Sequence, residues 1–165
     1  MDPWGYTSPD DIRAVLGVSD EELEDATISL PVYALTLEAE LRDIGPSLPA
    51  DLEVVRDKDS GLRTDDETWM LKAAQLFITF SIARQLTTGL PLFSPKEITD
   101  SKASVVRFAS NPYADTIAMV RDQFAVNQAR LSTAYKVVKT ASASVASLPS
   151  YLLVVTPAVD PVTGA

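Results

Sequence analysis

The longest stretch of this sequence without glycine or proline runs from Tyr113 to Leu148, and it limits the possible folds more than any other feature. Its apolar residues recur at steps of three, four and seven, which is the spacing of one helix face: Tyr113, Ile117, Val120, Phe124, Leu131, Tyr135 and Val138. A helix of about 36 residues is about 54 Å long. Since a compact domain of 165 residues is narrower than that, part of this helix should protrude or pack on another chain.

Capping signals predict further helices in the first third of the chain. The sequence Ser-Pro-Asp-Asp at 8–11 is typical of a helix start, and Gly17 of a helix end. Ser19, followed three residues later by Glu22, predicts a second helix through a capping box. An apolar stripe over 30–44 predicts a third helix, which Gly-Pro terminates.

The segment that follows Thr64 is the most apolar helix of the chain. A capping box over 64–67 predicts its start, and it should continue to about residue 88. Its apolar residues surround nearly the whole helix axis, so the helix should be buried on all sides, either centrally in the bundle or against a neighbouring subunit. Phe77, Ile78 and Ile82 are the residues expected in the core.

The remaining segments lack a helical pattern. Residues 46–63 are predicted as a polar loop in which 52–56 form a short strand or hairpin arm, and Ser104–Phe108 are predicted to be extended. The predicted class is all-α: a helical bundle of about five helices with one long C-terminal helix and an extended C-terminal arm. Residues 1–148 form the helical domain, and 149–165 form the arm.

Charge is distributed unevenly along the chain. The net charge is −9, with −13 on residues 1–67 and +4 on residues 68–165. Such a composition argues against a nucleic-acid-binding domain, which needs a basic surface. No stretch approaches the roughly 20 apolar residues of a membrane span, and the first residues do not resemble a signal peptide. We therefore expect a soluble protein that is made inside the cell.

The residue inventory excludes much of enzyme chemistry. The chain contains no cysteine and no histidine, which removes disulfides, thiolate nucleophiles, the Ser-His-Asp triad and most transition-metal sites. Residues 57–61 resemble a calcium-binding loop only in part, because the glycine falls one position early. We expect no catalytic activity, no cofactor and no metal site, although an enzyme that uses only carboxylates and lysine remains an alternative.

Taken in order, these segments resemble the head–tail connector (adaptor) proteins of tailed bacteriophages. The resemblance begins with the capped helix and Leu-Gly-Val of residues 6–19 and the acidic segment 22–25. It continues through the Tyr/Leu-rich helix 30–44, the apolar helix 67–88 and the segment 98–108 before the long helix.

This resemblance implies a structural virion protein without catalytic activity. It implies a homo-oligomeric ring, twelvefold in the family, that binds the portal protein on one side and a tail or nozzle/stopper protein on the other. Genome DNA would pass through the ring without specific binding, since a negatively charged lining does not attract phosphate. The location would be the neck of the virion, after assembly in the host cytoplasm, with no contact to a membrane.

Two sets of residues are candidates for the functional surfaces of such a ring. Asp57, Asp59, Asp65 and Asp66 are candidates for the channel lining, because they belong to the acidic first part of the chain. An uncharged apolar run is the candidate portal-binding segment: Tyr151, Leu152, Leu153, Val154, Val155 and Thr156. Alternatively, this run pairs with the chain's own residues 52–56 or 104–108.

A different functional class also fits the sequence. An acidic interaction or regulatory module built on a helical bundle would show the same composition and the same helices. Molecular mass separates the two hypotheses, because a ring subunit forms large assemblies at least with its partner, whereas a regulatory module stays monomeric or dimeric.

Overall fold

The chain folds as an all-α helical bundle. A computed structural model describes residues 2–88, 98–100, 103–105 and 113–146. Within these ranges the helices are α1 (Pro9–Leu16), α2 (Asp25–Ile28), α3 (Pro31–Ile44), α4 (Leu48–Asp57), α5 (Asp65–Leu86) and α6 (Ala114–Ala146). Single 3₁₀ turns occupy Pro3–Gly5 and Ser60–Leu62, and two short strands are β1 (Ile98–Asp100) and β2 (Ala103–Val105).

Helix α5 is the centre of the bundle. It packs lengthwise against α6 and also contacts α1, α3 and α4. The predicted core residues Phe77, Ile78 and Ile82 are all fully buried, which confirms their assignment. Trp69 and Leu76 are exposed, however, so α5 is not buried on all sides within its own bundle. Burial of this side against a neighbouring subunit stays a prediction. The neighbouring helices leave one strip of α5 open.

The start and end of α1 are confirmed at atomic detail. The Ser8 hydroxyl accepts a hydrogen bond from the Asp11 amide at 3.2 Å, and the Asp11 carboxylate accepts one from the Ser8 amide at 3.1 Å. Gly17 ends the helix in the left-handed conformation, with φ of 69°. A side chain at this position would be strained, so glycine is the residue that the turn requires.

The prediction of a second helix from Ser19 is wrong. The Ser19 amide does donate to Glu22 Oε2 at 3.0 Å, but only a turn forms, and the helix begins at Asp25. No helix continues from this turn because the Leu23 carbonyl accepts a hydrogen bond from Arg13 Nε at 2.8 Å. That carbonyl would otherwise accept from a backbone amide of the next helical turn. A non-local contact to α1 thus overrides the capping signal.

The predicted loop over 46–63, with its strand at 52–56, is also wrong over most of its length. Helix α4 occupies Leu48–Asp57, with Pro49 in its first turn. Leu48, Leu52 and Val55 are buried at i, i+4 and i+7, which is helical and not strand periodicity. Proline in the first turn is compatible with a helix, because the amides there have no partner within the helix.

The long helix is confirmed, and its described part is about 50 Å long. Before it, β1 pairs antiparallel with β2, so that Ile98 lies opposite Val105. This confirms the extended conformation of Ser104 and Val105, whereas 106–108 lie outside the described residues. The C-terminal arm and its candidate portal-binding residues, Tyr151 to Thr156, also lie outside them.

Candidate interaction surfaces

One face of α6 presents apolar side chains that the described part of its own subunit does not cover. Met119, Val126 and Val137 are each more than two-fifths exposed. Trp69 of α5, itself 52% exposed, lies beside this face and forms an open groove with Val126, Ala129, Arg130 and Thr133. We call this surface the long-helix face, and it consists of Trp69, Met119, Val126, Ala129, Thr133 and Val137.

Positive charge borders the long-helix face. Arg130 and Lys136 lie at its edges, and neither forms an ion pair with the residues that the structure describes. Arg130 makes a hydrogen bond to Asn127 Oδ1 at 3.2 Å, which leaves its charge unneutralised. The face therefore combines apolar area with free cations, in a chain whose net charge is −9.

A polar cluster fixes α6 against the junction of α3 and α4. Tyr135 donates its hydroxyl to Asp51 Oδ2 at 2.9 Å and accepts a hydrogen bond from Ser47 at 2.8 Å. Lys139 pairs with the same carboxylate oxygen at 2.8 Å. The Tyr135 ring lies directly on Gly45, where a Cβ atom would come within 2.5 Å of Cε1. These contacts set the rotation of α6, and hence the direction of the long-helix face.

The Asp51 carboxyl group has a lowered pKa. Its partial burial acts to raise the pKa, but hydrogen bonds from Lys139 and Tyr135 outweigh that effect. A lowered pKa in the folded state means that this group stabilises the fold above its unfolded pKa of 3.8. The contribution is lost as the pH falls through the folded pKa.

We expect Asp51→Asn to lower the free energy of unfolding by about 1–3 kcal/mol at pH 7, because it removes a charged hydrogen-bond acceptor. The difference from wild type should shrink as the pH falls below 3.8 and through the lower pKa of the folded state, where Asp51 itself becomes neutral. Urea unfolding at several pH values measures this difference in the free energy of unfolding. The control is Asp43→Asn, at an exposed position of α3. A constant difference from pH 7 to pH 2.5 would contradict the role of the charge.

A second polar cluster joins α3 to α5 and α6. Glu40 pairs with Arg84 and accepts a hydrogen bond from the Ser81 hydroxyl at 2.5 Å. The Arg84 guanidinium lies 4.1 Å from the centre of the Phe124 ring, which is cation–π geometry. The two clusters therefore hold α6 against the bundle at two separate points.

The four candidate channel residues lie together in the connection between α4 and α5. Asp57 ends α4, Asp59 precedes the second 3₁₀ turn, and Asp65 and Asp66 form the first turn of α5. All four are exposed. We call residues 57–66 the acidic segment. Asp65 and Asp66 also stabilise the positive end of the α5 dipole. Their position at the start of the helix therefore has a structural explanation that needs no channel.

Sequence reasoning did not find the long-helix face or the Asp51 cluster. Met119, Val126 and Thr133 are spaced by sevens, a signal that is present in the sequence but is obscured by the stronger stripe of buried residues. The contact between Tyr135 and Asp51 joins residues 84 positions apart, and no local pattern predicts it.

Within the described ranges, no three acidic side chains lie close enough together to bind a metal ion. The helices there are also neither long nor apolar enough to cross a membrane. Comparison with protein-family models, with curated proteins and with solved structures finds no match for this chain.

Proposed function

We propose that this chain is a subunit of the head–tail connector (adaptor) ring of a tailed bacteriophage. The observation that carries the proposal is the long-helix face, an apolar surface that the described residues of its own subunit hold in a fixed direction and leave uncovered. Large exposed apolar surfaces on soluble proteins are typically contact sites for other chains. A structural role also agrees with the absence of histidine and cysteine from the sequence.

The partners in this proposal are further copies of the chain, the portal protein, and a tail or nozzle/stopper protein. A ring of identical subunits uses two different surfaces of each subunit, so that one copy presents the long-helix face and the next presents another surface. DNA passes through the ring, in the neck of the virion, without specific contacts.

We predict that the acidic residues repel DNA in the channel. Changing Asp57, Asp59, Asp65 and Asp66 to lysine should raise nonspecific DNA affinity, most strongly at low salt, and should slow DNA ejection. The matched control changes the same four residues to asparagine, which removes negative charge without adding positive charge. Normal ejection by the lysine variant, together with a map that places these residues on the outer rim, would contradict the prediction.

We further propose that residues 149–165 dock on the portal protein. The alternative that they pair with residues 52–56 loses its basis, because those residues belong to α4 and offer no strand edge. Pairing with 104–108 stays open. Deleting 149–165 should leave a folded protein with an unchanged thermal midpoint that no longer binds portal. A destabilised protein, or unchanged portal affinity, would contradict docking.

An acidic interaction or regulatory module is the second candidate function. It is favoured by further exposed apolar side chains at the start of α3, Val32 and Leu35, together with Leu30 just before the helix, which could contact a partner in a one-to-one complex. Native mass spectrometry tests the two functions. A ring subunit gives multimers of high order with its portal protein, whereas a module gives monomers, dimers or one-to-one complexes.

A further inference from the structure

The exposed side of α3 repeats the residue spacing of the long-helix face. Four residues of α3 are exposed at the steps i, i+3, i+7 and i+11: Val32, Leu35, Ala39 and Asp43. We call this set the α3 face. Four residues of the long-helix face are exposed at the same steps: Val126, Ala129, Thr133 and Val137. Each set covers about 17 Å of helix, so the two faces match in length and in period.

The side chains of the two faces are complementary in size. Leu35 is 69% exposed and Val32 is 55% exposed, so the α3 face projects large apolar groups into water. The long-helix face presents the small residues Ala129 and Thr133 in the open groove beside Trp69. A leucine side chain fits a hole of this kind on a facing helix, where its apolar surface is removed from water.

Charge determines the direction in which the two faces match. Asp43 has no ion pair within the described part of the chain. If Leu35 lies in the groove next to Arg130, parallel helices place Asp43, eight residues further on, beside Lys136. Antiparallel helices would instead place Asp43 beside Asp122. Since opposite charges attract and like charges repel, the parallel arrangement is favoured.

We propose that the long-helix face of one copy binds the α3 face of the next copy, with the two helices parallel and Leu35 in the groove beside Trp69. The inference deepens the proposed function, on which it rests for closure of the ring. A second copy is the occupant because this chain itself supplies a face of the same period, of complementary size and of complementary charge. The contact is head-to-tail, so every added copy leaves one face of each kind free until the ring closes.

Cysteine cross-linking tests this contact, since the chain has no cysteine of its own. Leu35→Cys and Ala129→Cys are prepared as separate variants, mixed with and without the portal protein, and treated with a short bismaleimide. The mixture should give a covalent dimer, whereas neither variant alone should, because identical faces do not meet in a head-to-tail contact. In the control mixture, Val54→Cys at an exposed position of α4 replaces Leu35→Cys and should give only the yield of random collisions.

An exchange of charge tests the parallel direction. Adding Asp43→Lys to the Leu35→Cys variant should lower the yield of dimer by up to about fivefold, because two lysines then face each other. Adding Lys136→Asp to the Ala129→Cys variant should restore the yield. A higher yield from Asp43→Lys alone would contradict the parallel arrangement.

Two outcomes overturn the contact itself. One is the absence of a dimer both with and without portal, which would leave the α3 face to a foreign partner. The other is dimerisation of Ala129→Cys alone, which would indicate a twofold contact between long helices. The expected dimer from a chain that does not bind portal would support this contact and contradict the proposed function, whereas a ring on the portal without this cross-link would do the reverse.

Discussion

Replacing Ile78 by alanine should reduce the free energy of unfolding by about 2–5 kcal/mol. Ile78 is fully buried in the middle of α5, where α5 faces the other helices of the bundle. The substitution removes apolar surface from the core and leaves a cavity that rigid neighbouring helices cannot fill. Because domains of this kind are stable by only about 5–15 kcal/mol, this loss is a large fraction of the total.

Leu76→Ala provides the matched control for this prediction. Leu76 lies on the same helix, two residues away, but its side chain is 41% exposed. Its replacement should cost less than about 1 kcal/mol in the isolated subunit, because little buried surface is lost. Chemical denaturation of both variants measures the difference. Equal destabilisation would show that the α5 strip containing Leu76 is covered in solution, and that the packing described for the subunit is incorrect.

A double substitution of Val126 and Ala129 to glutamate should abolish assembly without unfolding the subunit. Both residues are exposed on the long-helix face, so charge there costs the monomer little. In an assembled ring, two carboxylates would be buried in an apolar contact where Arg130 can neutralise at most one of them, at a cost of several kcal/mol per interface. Since each subunit of a closed ring repeats this interface, the penalty prevents the ring from forming.

The control for this second prediction places a glutamate on another exposed surface. Ala26 lies in α2 and is exposed, so Ala26→Glu makes a similar change of charge away from the long-helix face. Sedimentation velocity with the portal protein measures assembly, and circular dichroism checks the fold. If the double variant assembles as well as Ala26→Glu, the long-helix face is not the contact between subunits.

Local signals in the sequence predicted the elements that local interactions determine. The caps at Ser8, Gly17 and Thr64 act over three or four residues, and all three are in place in the structure. The long helix also follows from its own periodicity and its lack of glycine and proline. The predicted fold class was therefore correct.

The errors arose where distant residues decide the local conformation. The turn after Ser19 depends on Arg13, which takes the Leu23 carbonyl as its partner. The sequence of α4 favours a loop prediction, because its two prolines and several charges are more prominent than the short i, i+4, i+7 spacing of its buried residues. The long-helix face could not be predicted from the sequence, because the packing of α5 against α6 determines which sides of α6 are covered.

We propose that this chain forms a ring on a portal protein through its long helix. Co-expression with a portal protein from the same genome, followed by cryo-EM of the purified complex, tests this proposal most directly. We expect a closed ring in which Trp69 and Val126 of each subunit are buried against the next subunit, with the acidic segment facing the channel. A chain that remains monomeric or dimeric beside an assembled portal would contradict it.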